Sequence, residues 1–106
     1  MSDPIVPGGR EGLKEKTRPK AKEPKKYQVV LHNDHYTTME FVVEVLKSIF
    51  HKSPVESHAI MMNVHKRGRG VVGLYPYDIA ATKAEQTHRM ARRHGHPLKC
   101  TVEEAS

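Results

Sequence analysis

Two helix-start signatures, Thr37-Thr38-Met39-Glu40 and Ser53-Pro54-Val55-Glu56, constrain this chain more than any other feature. In each, a hydroxyl residue stands three positions before a carboxylate. That is the spacing of a capping box, in which the two side chains reciprocally satisfy free backbone N–H groups at a helix start. Pro54 adds a residue suited to the first helical position, where no backbone donor is needed. A helix is therefore predicted to begin near Thr38, and Met39, Val42, Val43, Leu46, Ile49 and Phe50 recur at threes and fours to give it one buried face. A second is predicted from Ser53 as cap to Arg67, with Lys66 and Arg67 complementing the dipole of its last turn and Gly68 able to close it in the left-handed conformation. The run Lys66-Arg67-Gly68-Arg69-Gly70 thus reads as helix end and turn in preference to an RNA-binding tract.

Strand signals flank these helices. Tyr27, Val29 and Leu31 alternate with Gln28, Val30 and His32, a period of two that ends in the turn-favouring pair Asn33-Asp34. Val71 to Tyr75 reads as a second strand, and Pro76 and Asp78 open an alanine-rich helix that runs to His94 and stops at Gly95. Leu98, Cys100 and Val102 alternate with Lys99, Thr101 and Glu103, with Pro97 suited to the first residue of a strand. The expected order is β-α-α-β-α-β. It implies a small two-layer α+β domain in which a three-stranded antiparallel sheet packs against three helices.

With 106 residues, 37% of them hydrophobic, the chain has material for one modest core. Its formal charge of +6 is unevenly placed: residues 1–26 hold eight Lys/Arg against four Asp/Glu, and residues 27–106 hold ten against eight. The first segment also carries four prolines and three glycines, a composition that cannot offset the entropy of ordering a chain. It is expected to be a flexible basic leader to a domain spanning 27–106. No run of 18 apolar residues and no secretory pattern occurs, so a cytoplasmic protein without membrane contact is expected; a monomer is expected as well. The single cysteine, Cys100, excludes an internal disulfide and reads as a small buried hydrophobe.

The chemistry of the stretch HNDHYTTMEF (32–41) admits several readings. A metal site would need three or four ligands at defined spacing, and neither His32-x-x-His35 nor His94-x-His96 has a matching partner pair. A catalytic pairing of His65 with Asp34 lacks a nucleophile in a recognisable setting, and no phosphate loop or nucleophile elbow occurs. A small basic nucleic-acid- or ribosome-associated domain would rest on Arg67, Arg69, Arg89, Arg92 and Arg93, without aromatic residues interleaved to stack bases. The fourth reading is a receptor. Met61, Val64 and His65 share a helix face, and an antiparallel helix pair would bring them near Met39 and Val42, with Asn33-Asp34 closing one end. The result would be an apolar hollow rimmed by an amide oxygen, a carboxylate and an imidazole nitrogen.

The runs VVLHNDHYTTMEFVVEVL, MMNVHKRGRGVVGLY and HPLKCTVEEA, in that order across residues 27–105, resemble the bacterial Clp protease adaptor family, ClpS. That resemblance implies an adaptor without enzymatic activity or cofactor. It would bind N-degrons, proteins whose first residue is Leu, Phe, Tyr or Trp, and deliver them to the N-terminal domain of a ClpA-like AAA+ unfoldase. By position it implies that Asn33, Asp34 and His65 receive the α-amino group, and that Thr37, Met39, Val42, Met61, Val64 and Leu98 line the hydrophobic pocket. Asp78 and Lys83 would face the unfoldase. The family commonly has a second Asp where this chain has His35, so the long-range attraction for an ammonium is expected to be weaker here; Asp78 stands where a Glu is expected, a milder change.

Overall fold

A computed structural model describes residues 24–105. The order is β1 (Lys26–His32), α1 (Met39–Ser48), α2 (Pro54–Arg67), β2 (Arg69–Pro76), α3 (Tyr77–Arg93) and β3 (Lys99–Glu104). The predicted order and α+β class hold. The expected leader lies outside the described residues except for Pro24 to Lys26, where Lys26 already opens β1 and Lys25 pairs with Glu104.

β1 is central in an antiparallel sheet of order β2-β1-β3. Its Val29 and Leu31 are fully buried and sit opposite Val102 and Cys100, and these pairs join Val72 of β2 in the sheet's contribution to the core. Burial does not follow the strict alternation of the sequence, since Val30 on the other face is also fully buried. It is flanked there by its paired neighbours Val71 and Thr101. That face carries a polar network in which the Glu103 carboxylate accepts from Arg69, Gln28 and Thr101, while Thr101 also bonds His32.

The helices cover the core side. α3 presents Ala80, Ala84, Thr87 and Ala91 to the strands, small residues that allow a close approach. From α1 come Phe41, Val42, Val45 and Leu46, and burying a leucine of this kind contributes about 1.5–3 kcal/mol. The predicted stripe missed Phe41 and Val45 and included Met39, which is 44% exposed. Phe41 is drawn inward by a stacked contact with His96, ring centroids 4.3 Å apart.

Local signals were honoured unevenly. Around Ser53 the capping box is complete, with Pro54 at the helix start and Gly68 closing α2 at φ 87°. At α1 the predicted Thr37–Glu40 box does not form. Thr38 is the cap, its Oγ accepting from the Phe41 N–H at 3.1 Å, because Thr37 is engaged by Asp34. β2 begins earlier than predicted, since Gly68 alone makes the turn and Arg69 already pairs with His32. β3 is displaced towards the C-terminus, leaving Pro97 and Leu98 before it.

Candidate functional site

A cavity of about 510 Å³ opens between α1, α2 and the β1–α1 loop. Three features of the sequence build it. The helices pack against one another, so Met39 and Val42 of α1 face Met61 and Val64 of α2 across the hollow. The loop then folds over one end because the Asn33 N–H donates to the Gly68 carbonyl at 2.9 Å, tying the end of β1 to the end of α2. That bond, continuing the pairing of His32 with Arg69, brings Asn33 beside the last turn of α2, where His65 stands exposed.

Asp34 shapes the rest of the loop. Its Oδ1 accepts from the Tyr36 and Thr37 N–H groups, each at 2.7 Å, and its Oδ2 accepts from the Thr37 hydroxyl at 2.7 Å. Burial pushes this carboxyl upward, but the Thr37 and Tyr36 donors, helped by nearby His96, outweigh it and hold Asp34 below its ordinary value. The carboxylate is therefore charged at neutral pH, and part of its acceptor capacity is already spent on the loop.

The cavity lining includes Asn33, Asp34, Thr37, Met39, Val42, Met61, Val64 and His65, all expected from the sequence. Leu98 does not join them; it is 4% exposed within the core. His35, Tyr36, Thr38 and Glu40 also line the cavity, and Tyr36 is 79% exposed. Their signal in the sequence was contiguity alone, since a loop that runs along a cavity contributes most of its residues to the wall.

The arrangement limits the chemistry. Among the described residues no hydrogen bond joins His65 to Asp34, whose oxygens face Tyr36 and Thr37. No group of three or more His, Cys, Asp or Glu among them could hold a metal. His32 bonds Thr101, and His94 and His96 pack on Phe41, so three of the four histidines in the two pairs noted in the sequence have other partners. Burial pushes the Cys100 thiol up to about 12, which leaves it protonated and unreactive. Of the arginines that suggested nucleic acid, Arg69 and Arg89 are paired with Glu103 and Glu85.

Asp78 and Lys83 lie elsewhere, along one side of α3, and line a shallow hollow with Ile79, Thr82 and Gln86. Lys83 also has a structural task. Its Nζ donates to the Ile49 carbonyl at 2.9 Å, placing a cation at the C-terminal end of α1. No helix among the described residues is long and apolar enough to cross a membrane.

Residues 22–101 match the family described as ATP-dependent Clp protease adaptor protein ClpS. The ATP-dependent Clp protease adapter protein ClpS of Syntrophus aciditrophicus is 54% identical over 85 residues, covering 80% of this chain and 79% of the relative. That of Clostridium acetobutylicum is 50% identical over 94 residues, covering 89% and 91%. Among solved structures, Agrobacterium tumefaciens ClpS2 bound to L-phenylalaninamide superimposes with a TM-score of 0.76 at 41% identity, over 78% of this chain and all of that one.

Proposed function

The chain belongs to the ClpS family of Clp protease adaptors, and we propose that its cavity receives the first residue of proteins beginning with Leu, Phe, Tyr or Trp. The bound protein is then handed to the N-terminal domain of a ClpA-like AAA+ unfoldase, the adaptor acting as a monomer by binding and not by turnover. The observation that carries this reading is the open cavity with an apolar floor of Val42, Met61 and Val64 and a lip of Asn33, Asp34 and His65. The relative's ligand, phenylalaninamide, has the matching chemistry: a free α-amine beside a benzyl side chain.

A free N-terminus is an ammonium with three donors and an unperturbed pKa near 8, so it is largely charged at neutral pH. The Asn33 amide oxygen, the Asp34 carboxylate and an unprotonated nitrogen of His65 supply three acceptors. An aromatic side chain of roughly 150–250 Å² gains about 4–6 kcal/mol on burial, and each hydrogen bond to the charged group adds about 1.5–3 kcal/mol. After the cost of association these reach micromolar binding, about 8 kcal/mol, which area alone does not. The exposed side of α3 with Asp78 and Lys83 is the proposed contact for the unfoldase.

The test compares a Phe-leading peptide with its α-acetylated form by fluorescence anisotropy. Acetylation removes the charge and leaves lip acceptors unpaired, so affinity should fall by about 2 kcal/mol or more, roughly thirtyfold. Equal affinities would overturn the receptor reading.

A further inference from the structure

On the sheet face away from the core, one carboxylate ties the three strands together. Arg69 pairs in register with His32 of β1, and Glu103 with Gln28, so a line from Arg69 to Glu103 crosses β1 at Val30. The Arg69 guanidinium donates to Glu103 Oε1 at 2.7 Å along that line, which accounts for the full burial of Val30 outside the core. The same carboxylate accepts from Gln28 and, on Oε2, from the Thr101 hydroxyl at 3.1 Å. Having spent its proton there, Thr101 accepts from Nε2 of His32 at 2.8 Å. Burial, then the charges of Lys99 and Arg69, push the His32 imidazole down, and the Arg69 guanidinium holds the Glu103 carboxyl below its ordinary value. At neutral pH the bonds therefore run from a neutral ring to a full negative charge.

Both arms of this network end beside the fastening of the lip. His32 and Arg69 are the last register pair of β1 and β2, and their outer neighbours, Asn33 and Gly68, make the bond from the Asn33 N–H to the Gly68 carbonyl. Beyond it the chains part, one into the β1–α1 loop and the other into α2. A bond at the end of a ladder is supported from one side only and opens more readily than those inside it. Resting on the reading that the Asn33 side chain accepts from a ligand's α-amine, we infer that Glu103 is a positioning residue for amine recognition: holding Arg69 directly and His32 through Thr101, it keeps the last pair closed and Asn33 at the lip. Glu103, Thr101 and Arg69 take no part in the cavity wall, so they act without touching the ligand. Their effect falls on the amine end and spares the apolar floor, which Val42, Met61 and Val64 build from the helices.

The experiment titrates a Phe-leading peptide and its α-acetylated form by anisotropy against the full-length parent chain, E103A, E103Q and N33A with and without E103A. E103A should weaken the free-amine peptide roughly three- to tenfold, the worth of one hydrogen bond, and leave the acetylated one within about twofold. Hydrogen exchange of the Asn33 amide, followed by NMR, should quicken by a comparable factor. E103A should add nothing to N33A, where no side-chain acceptor is left to position. E103Q keeps the shape without the charge and should fall between parent and E103A; should E103A not fold, E103Q decides by the same measures. Equal weakening of both peptides, an unchanged Asn33 exchange rate, or the same loss in N33A as in the parent overturns the positioning role. If the parent prefers the free amine and E103A leaves that preference intact, the first-residue reading stands and the role of Glu103 falls. Equal binding of both peptides to the parent overturns both.

Discussion

Replacing Gly70 with alanine should damage stability and peptide binding together, because β2 passes close to α2 at this point. A Cβ built on Gly70 would lie 2.8 Å from Val64 Cγ2, 3.3 Å from the Ile60 carbonyl oxygen and 3.4 Å from the Val64 nitrogen. The first contact is too short to persist, and the other two are to helix backbone, which cannot turn aside. Val64 is β-branched in a helix interior, where a single χ1 well dominates, so its methyl cannot simply rotate away. Relief must come from moving β2 or α2. Overpacking of this kind costs about 1–3 kcal/mol. For a domain of this size that lowers Tm by roughly 4–8 °C per kcal/mol. Val64 is also part of the cavity wall, so the shift should weaken binding of a Phe-leading peptide. Urea unfolding followed by circular dichroism gives the first quantity and anisotropy the second. A double variant, G70A with V64A, removes the clashing methyl and should be less destabilised than the sum of the single changes, a coupling expected of residues in contact. Stability and affinity both unchanged in G70A, or strict additivity in the cycle, would refute the close-approach argument.

Two further predictions concern the loop. Asp34 is held below its ordinary value, so its contribution is present above the unfolded-state pKa and is lost as pH falls through the lower folded value. D34N should therefore be about 1–3 kcal/mol less stable at pH 7, and the gap to the parent should close on acidification below about pH 4; a gap constant from pH 7 to 3 would contradict this. T38A removes the α1 cap and should cost about 1 kcal/mol in urea unfolding. T37A should leave α1 capped while loosening the loop; a fully stable T38A protein would reject that assignment.

Those threonines mark where sequence reading stops. Helix starts are legible because a cap joins residues three apart, and Ser53 with Glu56 behaved as written. With two adjacent hydroxyls the pattern cannot say which one caps. The decision fell to Asp34, whose capture of Thr37 depends on the curvature of the loop. The meeting of Asn33 and His65 was legible only as a consequence of helix packing and of resemblance. Its actual fastening, Asn33 to Gly68, is a backbone bond that no side-chain pattern reports. Leu98 shows the same limit, since an apolar residue before a strand can line a pocket or fill the core, and the sequence is the same for both.

The loop bonds change what Asp34 can contribute to ligand binding. A carboxylate has about four lone-pair sites, and three donors from Tyr36 and Thr37 already occupy that capacity in large part. An ammonium arriving at the lip thus finds at most one well-directed acceptor there, together with the full negative charge. On the proposed reading Asn33 and His65 supply the remaining directional bonds, and both are exposed at the lip. Asp34 is the strut that fixes the loop and, on the proposed reading, also a source of negative potential for the ligand. A substitution at this position removes both, whereas one at His65 should weaken ligand binding while leaving the loop's own hydrogen bonds in place.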